Sequence, residues 1–457
     1  MENESVMDGI IQTILELLDA KKYSRARDEI LKNNTVDIAE ILEEVIEELG
    51  IEKAIILFRT LPKDVSAEVF AYLPIDDQIE IISVITDREV EHIIDELAFD
   101  DMIDVLEELP ANVVDKILEK STKEERRLIN TFLNYPETSA GSLMTPDYIS
   151  LRKNMTVAEA LSYIKKEGMD RETVYTCYIK DEGRRLLGIV SLRTLVVSDD
   201  EVQVGNLMHE DIIYVNVLDD QEDVSDAFKK YGFLAIPVVD NEHRLVGIIT
   251  VDDILDVIDE EATEDFHKMA GMAVSTEEYL DMSVWHHVRN RLPWLFVLMC
   301  SYVITGSIIS NFQEGLSKVI VLVTYMPMLM GTGGNSGSQS ATLVIRGLAL
   351  GDVETSDALG VLWKELRVSF LIGLVLSALN FARIFWMDGQ STMIAATVCG
   401  SMMLIVIAAK TIGSMLPIFA KKVGIDPALM ASPMIASLTD MVSVVTYFAL
   451  ASFILGI

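Results

Sequence analysis

Asp440 is the residue that most needs a chemical explanation, because it is a carboxylate set inside the apolar run ALMASPMIASLTDMVSVVTYF. An ionisable group at membrane depth is costly and marks a functional site by default. Ala436, Ser437 and Asp440 share one helical face at i, i+1 and i+4, and Pro433 removes a backbone donor and frees a carbonyl one turn earlier. A carboxylate beside freed carbonyls offers hard oxygen ligands, which suit Mg²⁺ or Ca²⁺. The competing reading pairs Asp440 with Lys410 as a structural ion pair. One carboxylate per chain is thin for a divalent cation, so a two-fold dimer that faces two copies of Asp440 is expected.

A second concentration of carboxylates lies in VDDILDVIDEEATEDFHK, where Asp252, Asp253, Asp256, Asp259, Glu260, Glu261, Glu264 and Asp265 have little basic compensation. Like charges at i,i+4 destabilise a helix, and a bridging divalent cation would reverse that penalty. A third set, Asp100, Asp101, Asp104, Glu107 and Glu108, sits on outward helical faces, where a solvated surface is the ordinary explanation.

The elements that must position these groups divide by charge. Residues 291–457 hold eight Asp/Glu and nine Lys/Arg, so the whole-chain charge of −35 leaves about −36 on residues 1–290. Such a surface repels nucleic acid and attracts cations. Cys177, Cys300 and Cys399 are far apart and form no CxxC, which argues against a disulfide framework or zinc knuckle. The start, MENESVMDGIIQ, lacks a basic n-region and is expected to stay in the cytosol.

Five apolar stretches near 292–312, 317–345, 368–387, 392–418 and 428–456 are long enough to span about 30 Å of hydrocarbon. Arg289, Arg291, Arg346, Lys364, Arg367, Lys421 and Lys422 fall on one set of flanks, whereas Lys318 and Arg383 fall on the other. The positive-inside rule then places the N-terminus in the cytoplasm and the C-terminus outside. Gly331–Ser340 of the second stretch is almost wholly Gly, Ser, Thr, Asn and Gln, and should line a cavity or pack closely on another helix. Asp426-Pro427 reads as an N-cap and first helical residue for the fifth.

In the acidic half, a twelve-residue repeat starts at 64, 76, 88, 100 and 112 and aligns Val69, Ile81, Ile93, Val105 and Ile117. It predicts short helices capped by Asp64, Asp76, Asp100 and Asn112, stacked as a superhelix. Residues 143–262 repeat once: LLGIVSLRTL at 186–195 echoes LVGIITVDDI at 245–254, and Leu143-Met144 and Leu207-Met208 open the halves. With AIPVVDNEHRLVGIITVDD in its second copy, this region resembles a tandem CBS-domain pair, many of which bind adenine nucleotides through Thr/Ser-x-x-Asp. The second copy keeps Thr250 and Asp253, but the first has Thr194 in place of the Asp, so ATP binding is expected to be weak or absent. Residues 263–290 are expected to be a connecting or plug helix.

GTGGNSGSQSATLVIRGLA, DPALMASPMIASLTD and VDDILDVIDEEATEDFHK together make the whole chain resemble the MgtE family of magnesium channels. The resemblance implies a multidomain membrane protein of the plasma (inner) membrane: an all-α helical superhelix over 1–135, an α/β tandem CBS pair over 136–262, and a five-helix transmembrane domain over 291–457. It implies a homodimer in the lipid bilayer, a hydrated Mg²⁺ held by paired Asp440 with Ala436 beside it, and cytosolic Mg²⁺ that stabilises the closed state. By motif position, Asp100 and Asp104 would face Asp253, while Asp256, Glu261, Glu264, Asp265 and Asp426 would hold further divalent cations. Lys410, where the family is expected to carry a neutral polar residue, and Ser443, in place of an expected glycine, are departures. The chain is not expected to be an enzyme: an intramembrane metalloprotease needs HExxH, and all six histidines precede the membrane half. A nucleotide-gated transporter of another solute, with Asp440 coupling protons, is the other alternative.

Overall fold

The computed structural model describes residues 2–275, 279–280, 282–312, 319–430 and 432–456. The chain forms two compact units, Met1–Ile258 and Asp259–Ile457. Lys318 and Glu278 lie outside the described residues, as do the side chains of Asp64, Glu108 and Asn112.

Four helices open the first unit: α1 (Glu2–Asp19), α2 (Tyr23–Ile30), α3 (Thr35–Leu49) and α4 (Ile51–Phe58). The twelve-residue repeat then becomes α5 (Lys63–Ala71), α6 (Ile75–Val84), α7 (Asp87–Glu96), α8 (Phe99–Glu108) and α9 (Ala111–Lys120), followed by α10 (Lys123–Phe132). The aligned pairs Val69-Phe70, Ile81-Ile82, Ile93-Ile94 and Val105-Leu106 are all buried, and this repeated apolar pair is what holds successive helices together.

The expected caps are corrected. Pro74 and Ala98 hold the N-cap positions of α6 and α8, which places Asp76 and Asp100 in the first turn. Pro62 and Pro110 hold the same position in α5 and α9. A proline there needs no N–H partner, and first-turn carboxylates still meet the positive end of the helix dipole. Reciprocal capping boxes do occur, at Thr86/Glu89 and Thr122/Glu125.

Two αβ copies follow. The first is β1 (Tyr148–Leu151), α11 (Val157–Glu167), β2 (Thr173–Lys180), β3 (Leu186–Ser191) and α12 (Leu192–Val197). The second is β4 (Val215–Asn216), α13 (Gln221–Tyr231), β5 (Ala235–Val239), β6 (Leu245–Thr250) and α14 (Val251–Ala270). In each sheet the first two strands are parallel and the last two antiparallel. The Leu-Met phrases that open each half cross to the other sheet: Thr145 bridges Ile248, and His209 bridges Ile189. Gly247 and Gly188 make room for the crossing, since an added Cβ would lie 2.9 Å from Sδ of Met144 and of Met208, respectively. The second copy shares one apolar core with the helical array, running from Ile14 to Ile254.

Among the described residues, the second unit contains five long helices: α15 (Val284–Asn311), α16 (Val321–Ala349), α17 (Ala358–Trp386), α18 (Thr392–Lys422) and α19 (Ser432–Leu455). Among the described residues, the segments Val284–Asn311, Thr355–Trp386, Thr392–Lys422 and Pro427–Leu455 are long and apolar enough to cross a membrane. α16 is as long as these but carries the Gly/Ser stretch, and it packs against α18 and α19. Its Gly333, Gly334, Ser336, Gly337 and Ser340 are buried there, so the glycine face is a packing face. The approach is backbone on backbone, since a Cβ on Gly413 of α18 would stand 2.2 Å from the Gly337 carbonyl.

Three expectations about this unit change. The connector is not one helix: α14 carries the acidic stretch unbroken to Ala270, Gly271 turns with φ +69°, and the chain folds back so that Ala273 N–H donates to the Asn290 carbonyl at 3.0 Å. The first spanning helix then begins at Val284. Asp426 caps a 3₁₀ turn, Pro427–Met430, through the Ala428 N–H at 2.8 Å, while α19 itself starts at Ser432. Pro433 therefore lies in the first described turn of α19 and not in its interior.

Candidate ion pathway and acidic clusters

Asp440 is half-buried on α19, and it has no hydrogen-bond or ion-pair partner among the described residues. The expected alternative partner is engaged elsewhere, since Lys410 Nζ donates to Ser340 Oγ at 3.1 Å and stands 3.8 Å from Glu365 Oε2. Around Asp440 the hydroxyls bond back to their own helix: Thr439 to the Ile435 and Ala436 carbonyls at 2.8 and 3.0 Å, and Ser443 to the Thr439 carbonyl at 2.6 Å. Ser443, Ile435 and Thr439 are the α19 residues that a Cβ on Gly333 or Gly337 of α16 would meet. Ala436 is half-buried, and its Cβ lies 3.7 Å from where a Cβ on Gly334 would stand. On α16 itself, Gly331, Asn335 and Gln339 form an exposed stripe at helical spacing, on the side away from the buried glycines.

In the first unit, α8 brings Asp100 and Asp101 to Asp252 and Asp253 at the start of α14, with Glu172 beside them. Asp100 is 9 % exposed, and its Oδ1 is buried with no hydrogen-bond partner. Burial first, then the charges of Asp253, Asp101 and Glu172, push its carboxyl up to about 8. Asp253 is pushed up to about 6, chiefly by burial and against the Thr250 hydroxyl, which donates to its Oδ2 at 2.7 Å. Asp101 and Glu172 are also raised, by burial and then by Asp252. Asp104 lies one turn beyond Asp100 on α8 and is exposed.

A cation already sits among the acids of the second unit. Lys268 Nζ pairs with Asp426 Oδ2 at 2.7 Å and with Glu264; burial pulls its pKa down, and the two carboxylates together overcome that and raise it. Asp265 is raised by burial and by Asp426, against the opposing pull of Lys268. Sequence reasoning missed Lys268, although the Glu264–Lys268 spacing of i,i+4 was a usable signal. Glu261 is half-buried and Asp256 exposed on the same helix, α14. Among the described residues, no group of three or more His, Cys, Asp or Glu converges as a ready-made metal site.

Comparison with known proteins bears on the whole chain. Residues 326–450 match the MgtE family described as a divalent cation transporter, residues 33–138 match the MgtE intracellular N domain, and 140–199 and 204–260 match CBS domains. The chain is 37% identical over 455 residues to magnesium transporter MgtE of Thermus thermophilus, covering 96% of this chain and 99% of that protein. Magnesium transporter MgtE of Bacillus subtilis is 33% identical over 422 residues, 89% and 92% of the two chains. The chain belongs to the MgtE family.

The crystal structure of the soluble part of a magnesium transporter resembles 56% of this MgtE chain and 99% of its own, at 31% identity and a TM-score of 0.50. As an MgtE protein with several long apolar helices, the chain is a multipass membrane protein. Its CBS pair encloses a cleft of about 950 Å³ between the two sheets, lined in part by Tyr175, Arg193, Tyr231 and Phe233. Ser191 caps α12 by accepting from the Thr194 N–H at 3.1 Å, the two hydroxyls lie 2.8 Å apart, and Thr194 brings no carboxylate to the cleft. Ser443 is buried against α16, in the space left by Gly333.

Proposed function

We propose that this chain transports Mg²⁺ across the plasma membrane, entering the cytoplasm along a pathway lined by Asp440 and shut by cytosolic Mg²⁺. The carrying observation is Asp440 itself, a half-buried carboxylate in an apolar helix with no hydrogen-bond or ion-pair partner among the described residues, while Lys410 is bonded to other groups. The exposed polar stripe of α16, for which lipid is a poor neighbour, supports the same pathway. Relatives named magnesium transporter, 33–37% identical, supply the ion. Mg²⁺ gives up water reluctantly, so a hydrated ion held through its waters by two copies of Asp440, with Ala436 beside them, fits a two-fold homodimer. The basic flanks support an orientation with the N-terminus in the cytoplasm and the C-terminus outside.

Closure rests on the acidic groups. Without divalent cation, burial and then neighbouring carboxylates raise the proton affinity of Asp100, Asp101, Asp253 and Glu172. Mg²⁺ would replace that repulsion with attraction, and Asp104, Asp256, Glu261, Glu264, Asp265 and Asp426 would add sites of similar weak affinity. Weak sites suit sensing at millimolar levels, because a ligand shifts an equilibrium only by its differential affinity. ATP is expected to bind the CBS cleft weakly or not at all, since the first copy lacks its carboxylate.

The test loads proteoliposomes with rising internal Mg²⁺ and follows Mg²⁺ influx. Influx that falls as internal Mg²⁺ reaches millimolar levels, and falls less after joint neutralisation of Asp100, Asp104 and Asp253, supports the reading. Influx indifferent to internal Mg²⁺ overturns the gating half.

A further inference from the structure

The ion pair that takes Lys410 away from Asp440 joins three helices. Lys410 on α18 is 4 % exposed, Ser340 on α16 is 1 % exposed, and Glu365 on α17 is mostly buried. Ser340 is the bridge: it accepts from Lys410 Nζ at 3.1 Å and donates to Glu365 Oε2 at 2.7 Å. Its single proton is thus committed to the carboxylate and a lone pair to the ammonium, which makes the contact directional. A buried pair of this kind adds little net stability over apolar residues, but removing one partner leaves an uncompensated charge. Its best-attested use is in fixing register.

Register is what the neighbouring crossing lacks. One turn before Ser340, Gly337 meets the Ala409 carbonyl of α18 and the side chains of Ile435 and Thr439 on α19. Gly333 meets Ser443 and Ile405, and Gly413 lies against the Gly337 backbone. Glycine surfaces offer few knobs to resist sliding, and among the described residues the directional bonds at Ser340 join α16 to α18 one turn from this crossing.

We propose that Lys410 is a positioning residue for the ion pathway. Its ion pair with Glu365 through Ser340 sets the register of α16, and the glycine face of α16 then fixes the turn of α19 that carries Ala436 and Asp440. The inference rests on reading Asp440 as the pathway carboxylate. It assigns Lys410 no contact with the transported ion.

The test uses the full chain in proteoliposomes, with influx normalised to folded protein and with competition by Co²⁺ as a second readout. That ratio is a property of each working molecule, so loss of folded protein does not move it. Lys410→Met and Glu365→Gln are each expected to lower Mg²⁺ influx about tenfold and to shift the Co²⁺ to Mg²⁺ ratio, while the Lys410→Met/Glu365→Gln pair recovers most of both. Should a single variant fail to fold, Lys410→Arg, which keeps the charge but not the geometry, is expected to fold and to shift the ratio. Single variants matching the wild type in influx and ratio overturn the proposal, as does a double variant as impaired as the product of the singles. Asp440→Asn separates the two readings: if it transports normally, the pathway reading fails, whereas an inactive Asp440→Asn beside unaffected Lys410 variants sinks the positioning role alone.

Discussion

Asp100→Asn is expected to stabilise the soluble half when no divalent cation is present. The wild-type carboxyl has its ordinary value of 3.8 raised to about 8. Because the folded value is raised, folding favours the protonated form: this group's contribution is fully present below about 4 and is lost as pH rises through about 8. At about 1.4 kcal/mol per pH unit, the interval from 3.8 to pH 7 corresponds to a penalty of roughly 4 kcal/mol, an upper bound because buried charges are eased by relaxation and water. Asparagine keeps the shape and cannot ionise. Allowing half of the bound, the gain is about 2 kcal/mol, or roughly 4–8 °C in melting temperature for a domain of this size. The assay is thermal melting of residues 1–270 in chelator between pH 5 and 9, a fragment chosen because the soluble part of a related magnesium transporter has been crystallised by itself. The wild type should lose stability as pH rises, the variant should lose less, and the stabilisation added by millimolar Mg²⁺ should be smaller in the variant. A variant that melts no higher than the wild type at pH 8, with the same pH slope, refutes the electrostatic account of this cluster.

Gly413→Leu is expected to destabilise the membrane unit by about 1–3 kcal/mol or to prevent its assembly, since its first side-chain carbon already overlaps the Gly337 carbonyl; detergent melting should show it, and an unchanged melting curve would contradict the close crossing. Isothermal titration of residues 1–270 with ATP should give no micromolar affinity, because Thr194 supplies no carboxylate; micromolar binding would show that the cleft recognises nucleotide by other groups. Lys268→Met removes the ammonium that holds Glu264 and Asp426, so the cytosolic Mg²⁺ needed to inhibit influx should fall several-fold. An unchanged inhibitory concentration would mean that Lys268 does not compete at those carboxylates.

The elements that sequence reasoning located are those with a strong period. The twelve-residue repeat became five helices beginning at 63, 75, 87, 99 and 111, because one apolar pair per unit must be buried between neighbours. The αβ repeat was equally legible, but the exchange of its opening segments was not, since Leu143-Met144 and Leu207-Met208 look alike wherever they pack. The caps differ from expectation because, although aspartate is a good N-cap, the proline two residues earlier enters in a fixed extended backbone and takes that position in α6. At the candidate site, Asp440 was visible as one charge in an apolar run. Lys410 was visible too, but its partner was not: Glu365 is 45 positions away on another helix, and only the packed bundle brings the two together through Ser340. Lys268 was overlooked among eight acids.

Mg²⁺ influx into liposomes carrying purified wild-type chain or Asp440→Asn tests the central claim most directly. Removing one negative charge while keeping the side chain's shape should abolish influx and leave the melting curve of the protein unchanged. Wild-type influx through the Asn variant would contradict the account, because the pathway would then not run past Asp440.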